Sequence, residues 1–242
     1  MNREYHQWHS PHLQRDMEML VFGEAGRKIL AFPTRDGRFY EYENLGIIHA
    51  LSNKLSSGEI QLFCVDNLAH ESFYASQIPP ANRIRRHNQF EQYLLNEVLP
   101  FMNSKNSHPD TSALGCSLGA FQATNLAFRH PHLFKTLYAF SGRYDLTLAV
   151  EYFYNLFDGY YDEDIYFHTP SHFLANLNCE TRLEQFRQME LIFTIGKEDP
   201  FLNNNHQLSQ ILWSKGIQHT LHEWDGRAHR GRSWRQMVQT YL

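Results

Sequence analysis

Only three cysteines occur in the 242 residues, Cys64, Cys116 and Cys179, and no two stand at C-x-x-C spacing. An odd, scattered set supports neither a disulfide framework nor a cysteine-built zinc site. No apolar stretch approaches the roughly 20 residues that a membrane span requires. The opening MNREYHQWHSPHLQRD is polar and lacks the hydrophobic core of a secretory signal. A soluble, cytoplasmic protein with no membrane span is therefore expected. Positive charge is not in excess: 22 Lys and Arg stand against 26 Asp and Glu, a formal net charge of −4. The densest basic run, RIRR at Arg83–Arg86, reads as the solvated start of a helix, and no nucleic-acid footprint is visible. Histidine is plentiful at 15, yet no H-E-x-x-H motif occurs, and HEW at His222–Trp224 lacks a second histidine. His9 and His12, His130 and His132, and His206 lie in dissimilar surroundings, so no metal and no cofactor is expected.

What is present is an alternation. Hydrophobic residues make up 42% and charged residues 20%, a balance that belongs to folded chains and excludes disorder. EMLVFGE and RKILAFPT read as strands separated by the turn AGR, and YEYENLGIIHALSNKL follows with helical spacing. IQLFCVDN is strand-like, and FEQYLLNEVLPFM is an amphipathic helix. SALGCS leads into the helix LGAFQATNLAFRH and the strand KTLYAFSG. The rhythm resumes at MELIFTIG with a helix NHQLSQILWSKG, a strand QHTLHEWD and a last helix GRSWRQMVQTYL. Such alternation implies right-handed crossovers and a mainly parallel sheet with helices on both faces. The two opening strands are expected to pair as an antiparallel edge. Residues 146–188, rich in Tyr and Phe, interrupt the pattern and read as a short cap inserted over one end of the sheet. No repeat or linker divides the chain, so residues 1–242 are read as one α/β domain.

Within this frame, ALGCSLGAFQA carries Gly115, Ser117 and Gly119 at G-x-S-x-G spacing between a strand and a helix. A serine on that turn projects its hydroxyl above the carboxyl end of the sheet, and the turn aims the Leu118 N–H and the positive helix end at a forming oxyanion. The alternative is a helix cap with two packing glycines. A hydroxyl needs a base oriented by a carboxylate, in the chain order serine, acid, histidine. FTIGKEDPFL supplies Asp199 just past a strand, and EWDGRAHRGRSW supplies His229 between the last strand and the last helix. Glu198 adjoins Asp199, His222 sits within a strand, and Asp225 lies close to His229 along the chain. All three rank behind the first pair.

Across nearly its whole length the chain resembles the esterase family of α/β-hydrolases that includes S-formylglutathione hydrolases, feruloyl esterases and mycolyltransferases. The likeness runs from LAFPTRDGRFYEYE through GCSLGAFQATNLAFRHPHLFKTLYAFSGRYD to GKEDPFL and WDGRAHRGRSWRQM. It implies an α/β-hydrolase fold and a serine esterase acting on a small ester, with Ser117 as nucleophile, Asp199 as acid and His229 as base. It also implies an oxyanion donor in the loop after ILAF. Many members have a glycine-containing step there, whereas this chain reads Pro33, Thr34, Arg35. The Arg35 N–H is then the partner of Leu118, with Thr34 as the fallback. Tyr144, beside the cap, is expected to neighbour the substrate pocket. Acyl transfer with the same triad and a catalytically silent binding protein are the alternatives, and the oligomeric state is left open.

Overall fold

Short runs rich in branched and aromatic residues become eight strands of one sheet in the computed structural model, which describes residues 1–242. They are β1 (Arg3–Ser10), β2 (Arg15–Phe22), β3 (Arg27–Phe32), β4 (Ile60–Val65), β5 (Thr111–Cys116), β6 (Thr136–Phe140), β7 (Glu190–Gly196) and β8 (Thr220–Trp224). Their order is β1-β2-β4-β3-β5-β6-β7-β8. From β4 onward every neighbouring pair is parallel.

The expected antiparallel edge exists but is built from other strands. β2 and β3 are not neighbours, because β4 lies between them. The edge is instead β1 against β2, with Ser10 opposite Arg15. β1 offered no apolar alternation to read. Its inward residues are Glu4, His6, Trp8 and Ser10, and their polar groups are met by Lys105 and Glu97.

Alternation along the inner strands sorts the core into two faces. Leu30, Phe63, Ala113, Leu137 and Phe193 meet the helices Pro80–Tyr93, Leu118–Arg129, Glu180–Arg187 and Leu202–Ser214. Ile29, Leu62, Leu114, Tyr138 and Ile192 meet the short turns of residues 41–56 and the last helix, Gly231–Tyr241, which contributes Trp234, Met237 and Val238. The helix expected over residues 40–55 is three short pieces within 41–56, and the first break falls at Gly46, which adopts a left-handed φ of 72°. The helix expected at 90–102 runs from Pro80 to Lys105. Its π turn at Leu94–Val98 re-spaces the backbone just before Pro100, whose ring would clash with the carbonyl four residues back.

The RIRR run is only partly solvated: Arg85 is exposed, but Arg83 is buried and donates to the carbonyls of Ser76, Ile78 and Leu156. Residues 146–188 carry three helical pieces. Leu146, Phe157 and Ile165 form a small core with Phe73, Leu118 and Phe121, so this segment rests on the first turn of helix Leu118–Arg129.

Candidate active site

The turn between β5 and helix Leu118–Arg129 holds Ser117 at φ 58° and ψ −121°. This is a conformation that non-glycine residues adopt only at a cost of about 1–3 kcal/mol. The bend is that sharp because the strand and helix nearly touch. A Cβ on Gly115 would collide with the Gly119 carbonyl, and one on Gly119 would lie 2.6 Å from the Pro33 oxygen. The Ser117 hydroxyl caps no helical N–H. Its Oγ lies 2.9 Å from His229 Nε2, and His229 Nδ1 lies 2.7 Å from Asp199 Oδ2.

The supports of these two partners are equally specific. Asp199 is buried, and its other oxygen accepts the Phe201 N–H at 2.9 Å. The loop carrying His229 passes over the end of β7, where any Cβ on Gly196 would meet the Arg227 carbonyl. Ser141, just past β6, donates its hydroxyl to the Ala228 carbonyl at 3.3 Å and accepts the indole N–H of Trp234 at 3.1 Å. The Trp234 ring stands edge-on to His229 with centroids 5.6 Å apart. Ser117, Ser141 and Ala228 are three of the six non-glycine residues with positive φ, so backbone strain gathers here.

The rivals of the sequence lie elsewhere. Glu198 is exposed, Asp225 pairs with Lys197 at 2.7 Å, and His222 stacks on Tyr241 at 4.6 Å.

A small cavity opens on Ser117 and His229, lined also by Tyr74, Leu118, Ser141, Arg143, Leu146, Phe153 and Phe201. A wider polar depression lies around Asp110, Thr111, Phe134 and Lys135, at the amino ends of β5 and β6. Ligands of open α/β sheets sit at the carboxyl ends, which favours the smaller cavity.

Tyr144 does not line it. The ring is fully buried in the core, edge-on to Phe193 at 5.5 Å, and the neighbouring Arg143 takes the place expected of it. The positive φ of Ser141 turns the chain out of the strand pleat, so alternation past Phe140 does not say which side chain faces the cavity. Arg143, Tyr74, Ser141, Phe153 and Phe201 were not legible from the sequence. The one available signal was the SGR step directly after a strand beside β5. Burial lowers the Arg143 pKa and raises that of Tyr74.

In the loop after β3, Thr34 gives its N–H and its hydroxyl to Glu41, at 2.7 and 2.6 Å, so the fallback oxyanion donor is already engaged. Asn67 donates to the carbonyls of Thr34 and Gly37 at 2.9 and 2.6 Å, which fixes the loop from its other side. The Arg35 N–H has no acceptor within the protein. The Arg35 guanidinium stands over Tyr74, 5.1 Å from the ring centroid.

The fold is shared with known proteins. A ferulic acid esterase superposes with a TM-score of 0.76 at 16% identity, covering 100% of this chain and 96% of its own. A fluorophosphonate-binding serine hydrolase of Staphylococcus aureus gives 0.74 at 15% identity, covering 99% and 96%. An S-formylglutathione hydrolase of Agrobacterium tumefaciens gives 0.71 at 16% identity, covering 99% and 92%. At such identities the likeness is one of fold, and the fold is that of the α/β-hydrolases. No curated protein sequence matches the chain. The family described as "Putative esterase" matches residues 10–239. Because that match spans nearly the whole chain, the protein belongs to this esterase family of α/β-hydrolases.

Proposed function

We propose that the protein is a carboxylic ester hydrolase working through an acyl-enzyme on Ser117. The observation that carries this reading is the imidazole of His229, which bridges Ser117 Oγ at 2.9 Å and Asp199 Oδ2 at 2.7 Å across 112 and 30 residues of chain. Asp199 accepts from Nδ1, which leaves Nε2 free to take the serine proton. As Ser117 Oγ bonds to the ester carbonyl carbon, its proton passes to Nε2 and the carbonyl oxygen becomes an oxyanion. The Leu118 N–H, at the first turn of the helix where no intrahelical acceptor exists, and the Arg35 N–H are the donors for that oxygen. Collapse breaks the ester C–O bond, and the proton on Nε2 leaves with the alcohol. Water then gives a proton to Nε2 as its oxygen bonds to the acyl carbon; the C–Oγ bond breaks, that proton returns to Ser117 Oγ, and the acid leaves.

Supporting Arg35 over Thr34 is the engagement of both Thr34 donors by Glu41. The test is Ser117→Ala. Labelling by a fluorophosphonate should vanish, and hydrolysis of short aryl esters should fall by about 10³–10⁶ while the fold persists. Persistent labelling would move the nucleophile to another residue, and products dominated by transfer to added alcohol would make the protein a transferase.

A further inference from the structure

The cavity beside Ser117 holds a cation that forms no ion pair with any acid of the protein; Asp145, two residues on, acts on it only at a distance. Arg143 has only 6% of its surface exposed and lines that cavity. Its Nε donates to the Asp145 carbonyl at 3.0 Å, and Nη2 donates to the carbonyls of Leu146, Leu148 and Tyr154 at 3.1, 2.5 and 2.8 Å. Those partners are all backbone dipoles. The carboxylate of Asp145, two residues on, is taken by the N–H and hydroxyl of Thr147 at 2.8 and 2.6 Å and by His172 at 3.1 Å. Nη1 has no partner in the protein, so two donors of a rigid, charged fork stay unused. A buried charge without a paired counter-charge is unfavourable, and an anionic ligand group at the free Nη1 would relieve that cost. The Arg35 guanidinium also stacks on Tyr74 of this wall, but it is already paired with Asp36 at 3.0 Å, which leaves Arg143 as the unpaired cation.

We propose that Arg143 is a specificity residue that receives a carboxylate carried by the substrate, so that the preferred substrates are esters bearing a second, ionised acid group. This rests on the hydrolase reading above and names its substrate class. The guanidinium holds the loop of residues 145–154 through the carbonyls and presents Nη1 to the substrate carboxylate. The rest of the cavity wall, Leu118, Leu146, Phe153 and Phe201, is apolar and accepts the connecting chain.

Two pairs of substrates test the idea on the whole protein. On the acyl side, the mono(4-nitrophenyl) esters of glutarate and adipate are compared with the valerate and hexanoate esters of equal chain length. On the alcohol side, 4-acetoxybenzoate is compared with its methyl ester. In at least one pair, kcat/KM for the charged member should exceed that for the uncharged member by about tenfold or more, and added salt should shrink the ratio. Arg143→Gln should lower that ratio by roughly 10–100-fold, and Arg143→Lys, which keeps the charge, should restore part of it. A residue that only straps the loop would lose melting temperature and slow both members alike. An unchanged ratio in Arg143→Gln therefore overturns the proposal. Should that variant not fold, the wild-type ratios decide: no preference in either pair overturns it as well. If the uncharged esters are hydrolysed and Ser117 is labelled by a fluorophosphonate, the hydrolase reading stands whatever the ratio. If neither happens, that reading has failed first.

Discussion

Asp199 has one oxygen on the Phe201 N–H and one on His229, and no surface of its side chain reaches solvent. An asparagine there fits the same space but can offer its amide NH₂ to Nδ1. The imidazole then keeps its proton on Nε2, the atom that receives the proton of Ser117 in the proposed reaction. Asp199→Asn is expected to lower kcat by about 10³–10⁴, as the same change does in serine proteases. kcat and kcat/KM should fall together, since the interaction matters in the transition state. Glu198→Gln, at an exposed neighbour, should stay within about threefold of the parent. Equal losses in the two variants would remove the acid role from Asp199. All three partners were legible because each is announced by residues next to it in sequence: two glycines around the serine, a strand and a proline around the aspartate, a strand and a helix around the histidine. Arg143 had no such neighbours. Its position depends on the left-handed turn at Ser141, and that turn is set by tertiary contacts to Thr194, Ala228 and Trp234. Periodicity within the strand carries no trace of those contacts.

The loop after β3 shows how an element is held ready. Pro33, Thr34 and Arg35 form this loop, and the fixing contacts come from outside it, from Glu41 and from Asn67. Neither was legible, because a carboxylate seven residues away in a helical turn looks like ordinary surface charge. Glu41→Ala removes the acceptor of the Thr34 N–H and hydroxyl, frees the backbone to rotate and misaims the Arg35 N–H. The expected result is a fall in kcat of about tenfold with a smaller change in KM, since losing an oxyanion donor outright costs about 10²–10³. Glu41→Gln, which can still accept one of the two bonds, should recover part of the rate. A rise in KM alone would assign the loop to substrate binding. The same logic of contacts over pattern explains the strand order. EMLVFGE and RKILAFPT have a hairpin's spacing, but Ile60–Val65 is buried along its whole length and demands a neighbour on each side, so it enters between them. The edge position left over goes to β1, whose alternate residues are exposed and whose inward side chains are polar enough to need Glu97 and Lys105.

Across the whole molecule, the helix that starts at Ser117 is tied to the long helix Pro80–Tyr93 and to the aromatic insertion by a buried polar network on its far side. The Asn125 side-chain amide lies 3.1 Å from His87 Nε2 and 2.8 Å from His168 Nδ1, and His168 Nε2 meets Asn88 Oδ1 at 2.5 Å. Glu91 closes the network, accepting from Arg129 at 2.8 Å and sitting 2.7 Å from His130 Nε2. Burial, reinforced by Arg129, outweighs the pull of Glu91 and pushes His87 from an ordinary 6.5 down to about 4. His168 is held well below its usual value, by burial first and then by His87 and Arg129. Burial alone would raise Glu91, but His130, His168 and Arg129 prevail and bring it to about 2. Both imidazoles are thus neutral in the folded chain and take up protons on unfolding once the pH drops below about 6.5. The unfolded state then binds more protons than the native one, so stability must fall as the pH falls from about 6.5 to about 4. Glu91 extends the loss below its unfolded value, near 4.5. Each extra proton bound on unfolding steepens the slope by about 1.4 kcal/mol per pH unit. His87→Phe places an apolar ring among Phe73, Phe90 and Phe121, which already surround His87. Urea unfolding between pH 7.5 and 4.5 should show a shallower decline for this variant by up to one proton, even if its stability at pH 7.5 is lower because Asn125 has lost a partner. Parallel pH curves for the two proteins would mean that His87 titrates alike in both states and that the network does not couple this helix to acid.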